Sequence, residues 1–389
     1  MDADINVNNL KNILITGGAG FIGSTLSLQL LKKGYNITVL DNLSPQIHGE
    51  HPELTSPLYK SIKEKVRFIK GDVVNKSDWE EALKDQHIIV HFAAETGTGQ
   101  SMYEIERYTG VNVIGTAILL DFLTNSKHVV EKVIVASSRA VYGEGKYFSK
   151  KLNQYFYPGE RSEHDLQKGF FDLRNPFDAS ETLEACATDE ESKIHPNSIY
   201  GLTKYHQEQS LMICCKSLNI PCVAFRYQNV YGPGQSLSNP YTGILSIFST
   251  RIKQQKSINI FEDGKESRDF VFIDDAVAAT ILGIEKNNAD FHSFNVGTGI
   301  ATSVLEVAQS LMKNYNIEIL LEITGQYRKG DIRHNFADLK LIKEKLDFVP
   351  AVNFETGIQK FCNWVNGQPA QSDRYEQSLA EMKSKGLMK

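Results

Sequence analysis

The stretch Ile13-Leu-Ile-Thr-Gly-Gly-Ala-Gly-Phe-Ile-Gly23 decides the fold. Four residues suited to a buried strand, Ile13 to Thr16, run straight into a turn carrying Gly17, Gly20 and Gly23. A helical pattern from Ser24 to Lys33 follows at once. A strand that ends on such a turn leaves the first N–H groups of the helix pointing outward, and together with the helix dipole they favour negative charge. Glycine there permits the turn, the close approach of a pyrophosphate and tight packing of helix on strand. Three spaced glycines alone would also suit a turn without ligand; the strand before and the helix after favour a dinucleotide site.

Moving outward, Gly34 ends the helix and Ile37 to Leu40 reads as a second strand closing on Asp41-Asn42. An acidic residue about 20 positions beyond the glycine turn is placed to grip a ribose diol and to repel a 2′-phosphate. With no arginine beside it, NAD is expected rather than NADP, although a loop aspartate capping the next segment would look the same. Val66 to Ile69 is a third strand leading to Gly71-Asp72-Val73, where a carboxylate could meet the adenine amino group. Ile88 to Phe92 is a fourth, ending in the small residues Ala93-Ala-Glu-Thr-Gly-Thr-Gly99. The strand–helix alternation predicts an α/β fold, a Rossmann-type doubly wound parallel sheet with ligands outside the carboxyl ends of its strands.

Composition bounds the rest. The chain has 389 residues, 41% hydrophobic and 23% charged, as for a soluble globular protein of one large or two joined domains. A formal charge of −5 gives no electrostatic case for nucleic acid or an anionic membrane. Five cysteines without a C-x-x-C pair fit reduced thiols, and with no signal peptide or long apolar run a cytoplasmic protein is expected. Cys186, His164 and His195 lack metal-ligand spacing, so no metal is expected.

Residues 11–235 are assigned to the dinucleotide-binding domain, with an aromatic-rich insertion at 145–197 and with 270–297 returning to it. Residues 236–365 form mainly a smaller α+β lobe, 366–389 an exposed helical tail, and 1–11 a short arm. The insertion reads as a folded element at the mouth of the site or as a surface excursion. A long apolar helix is expected over 103–123, and a hairpin with an Asp-Gly turn over 262–272.

Tyr200 and Lys204 are four apart and share a helix face. An ammonium beside a phenol stabilises the phenolate. Ser138 ends the strand Lys132 to Ser138, where its hydroxyl could hold the same substrate oxygen. Together they suit removal of the proton of a secondary alcohol while its hydride leaves for a nicotinamide.

These residues, with Gly71-Asp72, His91-Phe-Ala-Ala94, Ser137-Ser138 and Arg226-Tyr-Gln-Asn-Val-Tyr-Gly-Pro233, resemble the extended short-chain dehydrogenases acting on nucleotide sugars, over residues 11–365. The resemblance implies a retained NAD, a homodimer through helices 103–123 and 200–217, and a C-terminal lobe for the nucleotide diphosphate-sugar. The cofactor set it implies is Gly17, Gly20, Phe21, Ile22, Gly23, Asp41, Asn42, Asp72, Val73, Ala93, Ala94, Glu95, Asn112, Ser137, Tyr200, Lys204, Tyr227 and Gln228. The substrate set is Thr98, Gly99, Ser138, Arg139, Asn229, Phe261, Arg268, Arg328 and Asp331; Arg268 and Arg328 would clamp the diphosphate, or would be surface ion pairs with Asp269 and Asp331.

The sugar 4,6-dehydratases of that family carry an Asp-Glu pair after the catalytic hydroxyl residue; here stand Arg139-Ala140. Without those carboxylates, elimination lacks its acid and base, so epimerisation at C4 is expected. The stretches Ala93–Met102, Ala136–Gly145 and Tyr227–Gly243 look more particularly like the branch of 4-epimerases acting on dTDP-L-rhamnose. The alternatives are another epimerase, dehydratase or dehydrogenase of UDP-, CDP- or GDP-sugars, and, more remotely, a non-catalytic dinucleotide-binding regulator.

Overall fold

The computed structural model describes residues 11–389 except 238, 240, 242, 370–372 and 374; of the arm expected at 1–11, residues 1–10 lie outside the described residues. Seven strands form one parallel sheet: β1 (Asn12–Thr16), β2 (Asn36–Asp41), β3 (Arg67–Lys70), β4 (Ile88–His91), β5 (Lys132–Ser138), β6 (Cys222–Tyr227) and β7 (Ser293–Val296), in the order β7-β6-β5-β4-β1-β2-β3. The order reverses between β1 and β4, the switch point where such sheets open a crevice at their carboxyl ends.

Both faces of the sheet are covered, which is why its strands read as near-continuous apolar runs. Side chains alternate between the faces. Ile13, Ile15, Val39, Val90 and Phe225 belong to one core with the helices Phe21–Lys32 and Ile273–Glu285, and that core runs on into the C-terminal lobe. Leu14, Leu40, Ile89, Val133 and Ala224 belong to the other, closed by Trp79, Leu119 and Leu211.

Four expectations are corrected. The apolar helix near 103–123 is not a uniform α-helix: Ile105–Tyr108 continues as a π-helical segment, Thr109–Ile114, before α-geometry resumes at Gly115–Asn125. The hairpin at 262–272 does not form. Ile258–Ile260 pairs in parallel with Leu321–Ile323, Ser267–Arg268 with His334–Asn335 and Thr302–Ser303, and Phe270–Phe272 in parallel with Asn229–Tyr231. Only the turn survives, with Gly264 at φ +76°. The insertion is folded around Tyr147, Leu173 and Leu183, but it grips the C-terminal lobe through Arg161–Glu262 and Arg333–Asp172 rather than lining the crevice.

The fourth correction concerns the tail. Tyr375–Ser384 is a helix whose Tyr375, Leu379 and Met382 are buried, with Met388, against Ile247 and Phe261. Its apolar residues recur at helical spacing, so docking one face removes them from water.

Candidate active site

A cleft of about 480 Å³ opens at the carboxyl ends of the strands. Gly17 enters it at φ +67°, its N–H bonded to the Leu40 carbonyl, and the Gly20 N–H donates to the Gly17 carbonyl. No side chain caps the Phe21–Lys32 helix, and Gly17, Gly20, Phe21, Ile22 and Gly23 line the cleft. A Cβ on Gly23 would lie 2.4 Å from the Gly17 carbonyl oxygen, so any side chain there breaks the turn.

Asp41 and Asn42 close one end of the cleft together with Asp72 and Val73. The Asp41 carboxylate is used twice by the backbone, accepting from the N–H of Ala19 (2.9 Å) and of Leu43 (2.8 Å), and His48 Nε2 stands 3.8 Å away. It therefore braces the glycine turn as well as bordering the cleft, and burial raises its pKa. Asp72 accepts from Asn42 Nδ2 at 2.9 Å.

The wall opposite comes from β4, β5 and the helix Ile199–Ser217, capped by Ser198 through the Gly201 N–H. Ala93, Ala94, Glu95, Thr98, Ser137, Ser138, Arg139, Tyr200 and Lys204 all line the cleft. Burial raises the pKa of the Tyr200 phenol, while the neighbouring Ser138 hydroxyl and the charge of Arg139 pull it back down. Arg139 is itself pushed down to about 9 by burial and by Arg268. Ser137 turns its hydroxyl the other way, donating to Glu208 at 2.5 Å, and Glu208 is paired with Arg226 at 2.6 Å.

Burial pushes Lys204 down to about 7. Its Nζ donates to Gln207 Oε1 at 2.9 Å. The Gln207 amide nitrogen is 3.0 Å from Thr116 Oγ1 and 3.2 Å from His91 Nε2, and His91 Nδ1 is 2.8 Å from Thr16 Oγ1. This chain of fully buried groups ties the lysine to the end of β1, beside the glycine turn. Burial and Lys204 hold His91 neutral, down at about 3. Sequence reading missed Gln207, although at i+3 from Lys204 and i+7 from Tyr200 it shares their face.

Tyr227, Gln228 and Asn229 line the cleft from the end of β6. Gln228 is buried, yet neither its amide oxygen nor its nitrogen has a partner. Asn112 does not reach the cleft: it accepts from the Glu95 N–H (2.8 Å) and donates to the Glu95 carbonyl and to Thr203, and so fixes the loop that does.

The remaining expected substrate residues are not part of the lining. Gly99 faces the Met382 sulfur of the C-terminal helix. Arg268 and Arg328 converge on Asp331, at 2.9 and 2.7 Å, with Arg328 over the Phe261 ring at 5.3 Å. Asp331 is thus the shared partner of both arginines, whereas Asp269 accepts from the backbone of Thr298, Gly299 and Ala337. Close by, Glu144 is buried and pushed up to about 7, a group no sequence signal singled out.

The profile of the NAD dependent epimerase/dehydratase family matches residues 13–173 and 177–297. The chain belongs to this family. A similar relative is a dTDP-L-rhamnose 4-epimerase of Burkholderia thailandensis, 38% identical across 93% of this chain and 98% of the relative. A putative UDP-glucose 4-epimerase of Methanocaldococcus jannaschii is 30% identical across 91% of this chain and 98% of the relative. Among solved structures, the UDP-glucuronic acid 4-epimerase of Bacillus cereus, in complex with UDP-glucuronic acid and NAD, is similar with a TM-score of 0.73. It is 26% identical over 91% of this chain and 99% of that one. The Thermotoga maritima UDP-glucose 4-epimerase with UDP-glucose has a TM-score of 0.71 at 29% identity, over 91% of this chain and 98% of that one.

As a member of this NAD-dependent family, the chain has a cleft that suits the dinucleotide on its own evidence. The uncapped helix end over a glycine turn that admits no Cβ suits a pyrophosphate, and the unpartnered amide of Gln228 is left for a polar ligand. No helix among the described residues is long and apolar enough to cross a membrane.

Proposed function

We propose that this protein is an NAD-dependent nucleotide-sugar 4-epimerase, converting dTDP-L-rhamnose to dTDP-6-deoxy-L-talose. The reading is carried by Ser138, Tyr200 and Lys204 meeting in one cleft, with Arg139-Ala140 where elimination would need a carboxylate pair. The similarity to the Burkholderia relative supports the choice of sugar.

Tyr200 takes the proton of the C4 hydroxyl and later returns it, and Ser138 holds the same oxygen through both steps. Arg139 is a cation that draws the phenol's pKa down, and Lys204, lining the same cleft, would favour the phenolate in the same way when charged. NAD, when bound, supplies the acceptor for the C4 hydride and its return. Between those steps the 4-keto sugar turns its other face, so configuration inverts with no net redox change.

Gly17 to Gly23 would hold the pyrophosphate, Asp41 and Asp72 the adenosine end, and Gln228 the nicotinamide side. Asn229, Arg268 and Arg328 would hold the nucleotide sugar, because a guanidinium pairs bidentately with phosphate oxygens. Two copies would join through Ile105–Asn125 and Ile199–Ser217, where Ile105, Ile114, Leu202 and Ile213 are each at least half exposed.

The test is to incubate the purified protein, without added cofactor, with a panel of dTDP-, UDP-, CDP- and GDP-sugars and to follow C4 inversion by NMR. Inversion of dTDP-L-rhamnose is expected. A 4-keto-6-deoxy product from dTDP-glucose, or a stoichiometric demand for fresh NAD, would overturn the reading.

A further inference from the structure

The C-terminal segment joins the C-terminal lobe to elements beside the cleft, one of which, Tyr241, lines it. Its two ends are anchored to the C-terminal lobe. Asp373 is paired with Arg251 at 3.2 Å and with Lys256 at 3.0 Å, and Glu376 with Arg251 at 2.9 Å. At the other end the chain adds itself to the backbone of Tyr327–Lys329. The Tyr327 N–H donates to the Lys389 carbonyl (2.9 Å), the Lys389 N–H to the Tyr327 carbonyl (3.1 Å), and the Lys329 N–H to the Leu387 carbonyl (2.9 Å).

Between these anchors the helix touches elements at the rim of the cleft. Met382 meets the loop after β4, its sulfur 3.7 Å from where a Gly99 side chain would begin. The Lys385 ammonium lies 5.9 Å from the Tyr103 ring centre. Glu381 Oε2 accepts from the Tyr241 hydroxyl at 2.6 Å, and Tyr241 itself lines the cleft. The segment also covers Phe261 with Leu387 and Met388, on the side where Arg268, Arg328 and Asp331 stand outside the cleft's lining.

We propose that residues 375–389 form a clasp that spans the mouth of the cleft and holds the nucleotide sugar in place through the turnover. Glu381 and Met382 are positioning residues that fasten the clasp to Tyr241 and to the Gly99–Tyr103 loop. This rests on the nucleotide-sugar reading of the cleft. A 4-keto sugar that leaves midway takes one C4 hydride fewer than it brought, and that hydride stays behind on the nicotinamide, so each escape leaves one reduced, idle enzyme. Retention is therefore a chemical requirement of a borrow-and-return reaction. The lobe-side anchors are three backbone bonds and three ion pairs, one of them buried on both sides; the rim-side contacts are one hydroxyl bond, one methionine and one cation over a ring. Opening breaks the second set and keeps the first.

The test compares wild-type holoenzyme with the double variant Glu381→Ala, Met382→Ala and with Glu381→Gln, which keeps an acceptor for Tyr241. In ligand-free protein, hydrogen exchange at the 99–104 amides is expected to speed up in the double variant and to stay at the wild-type rate in Glu381→Gln. With dTDP-L-rhamnose, release of the nucleotide sugar is expected to be about tenfold faster in the double variant, as for the loss of one hydrogen bond and its packing. Reduced nicotinamide, read by its absorbance, and free keto sugar should accumulate together. An unchanged melting temperature of the body of the protein keeps the effect local. Exchange at 99–104 indifferent to the double substitution, or release at the wild-type rate with no build-up of reduced cofactor, would overturn the clasp. If dTDP and dTDP-L-rhamnose fail to bind the wild type in calorimetry, the nucleotide-sugar reading fails instead, and the ligand-free exchange still decides the contact.

Discussion

At Tyr200 two influences oppose each other: burial holds the proton on, while the Ser138 hydroxyl and the Arg139 charge draw it off. Tyr200→Phe keeps the ring and removes the acid–base oxygen, so turnover should fall by about two orders of magnitude. Initial rates by NMR check this, and near-normal turnover would remove Tyr200 from the role. Arg139→Ala removes a positive charge that favours the phenolate, so the phenol's pKa rises. The acid-side limb of the rate–pH profile should therefore move to higher pH, and a limb that stays put would place Arg139 outside the phenol's field. Lys204 gives a stability signature. Its pKa is 10.5 as the reference value and about 7 in the buried site. Below about pH 7 the folded state carries the charge at full penalty, and the penalty fades as the pH rises from about 7 to 10.5. The melting temperature of Lys204→Met, relative to wild type, should be highest at and below neutral pH and fall as the pH rises. Scanning calorimetry across that range tests the sign.

At the scale of elements, what could be read in advance depended on how far apart the interacting pieces lie in the chain. The strand, turn and helix at 13–33 are contiguous, and the glycine spacing carries its own steric reason. That reason also sets a test: Gly23→Ala drives a Cβ into the Gly17 carbonyl, so it should lower stability by about 1–3 kcal/mol and leave the purified protein depleted of NAD(H). Wild-type cofactor content in that variant would show that the turn can give. The stretch 262–272 was misread because its two short strands find their partners elsewhere in the chain, 267–268 at 302–303 and 334–335 and 270–272 at 229–231. An Asp-Gly turn between apolar runs signals a hairpin only when the runs face each other. The buried groups Gln207, His91 and Thr116 were overlooked for a related reason: their significance lies in touching one another across three elements.

For the whole molecule, sequence reading located the cleft's walls, with Ser138, Tyr200 and Lys204 among them, but not what packs at its rim. Tyr375, Leu379 and Met382 form a visible apolar stripe, yet nothing local says which surface receives it. Arg268 and Arg328 suffered similarly, because their shared partner Asp331 was recognisable while their place outside the cleft's lining was not. The exposed face of the Ile199–Ser217 helix still lacks a cover: Leu202 is 53% exposed and Ile213 68%, about three turns apart on one side. Ile213→Asp should shift the protein from dimer towards monomer in sedimentation velocity; an unchanged sedimentation coefficient would place the second copy elsewhere or nowhere.

The π-helical segment Thr109–Ile114 joins these scales. In a regular helix each residue advances the angle by about 100°, and a wider turn resets that phase. Ahead of it, Ile105 faces solvent; within it, Asn112 faces the core and holds the loop that lines the cleft; beyond it, Leu119 and Leu123 enter the second core. One helix thus carries separately phased assignments. A further residue inserted between 109 and 114 would rotate everything downstream by about 100° relative to everything upstream, whereas loss of one lets the wide turn close to α-geometry with both flanks in phase. The segment should accept many exchanges of side chain and reject an insertion.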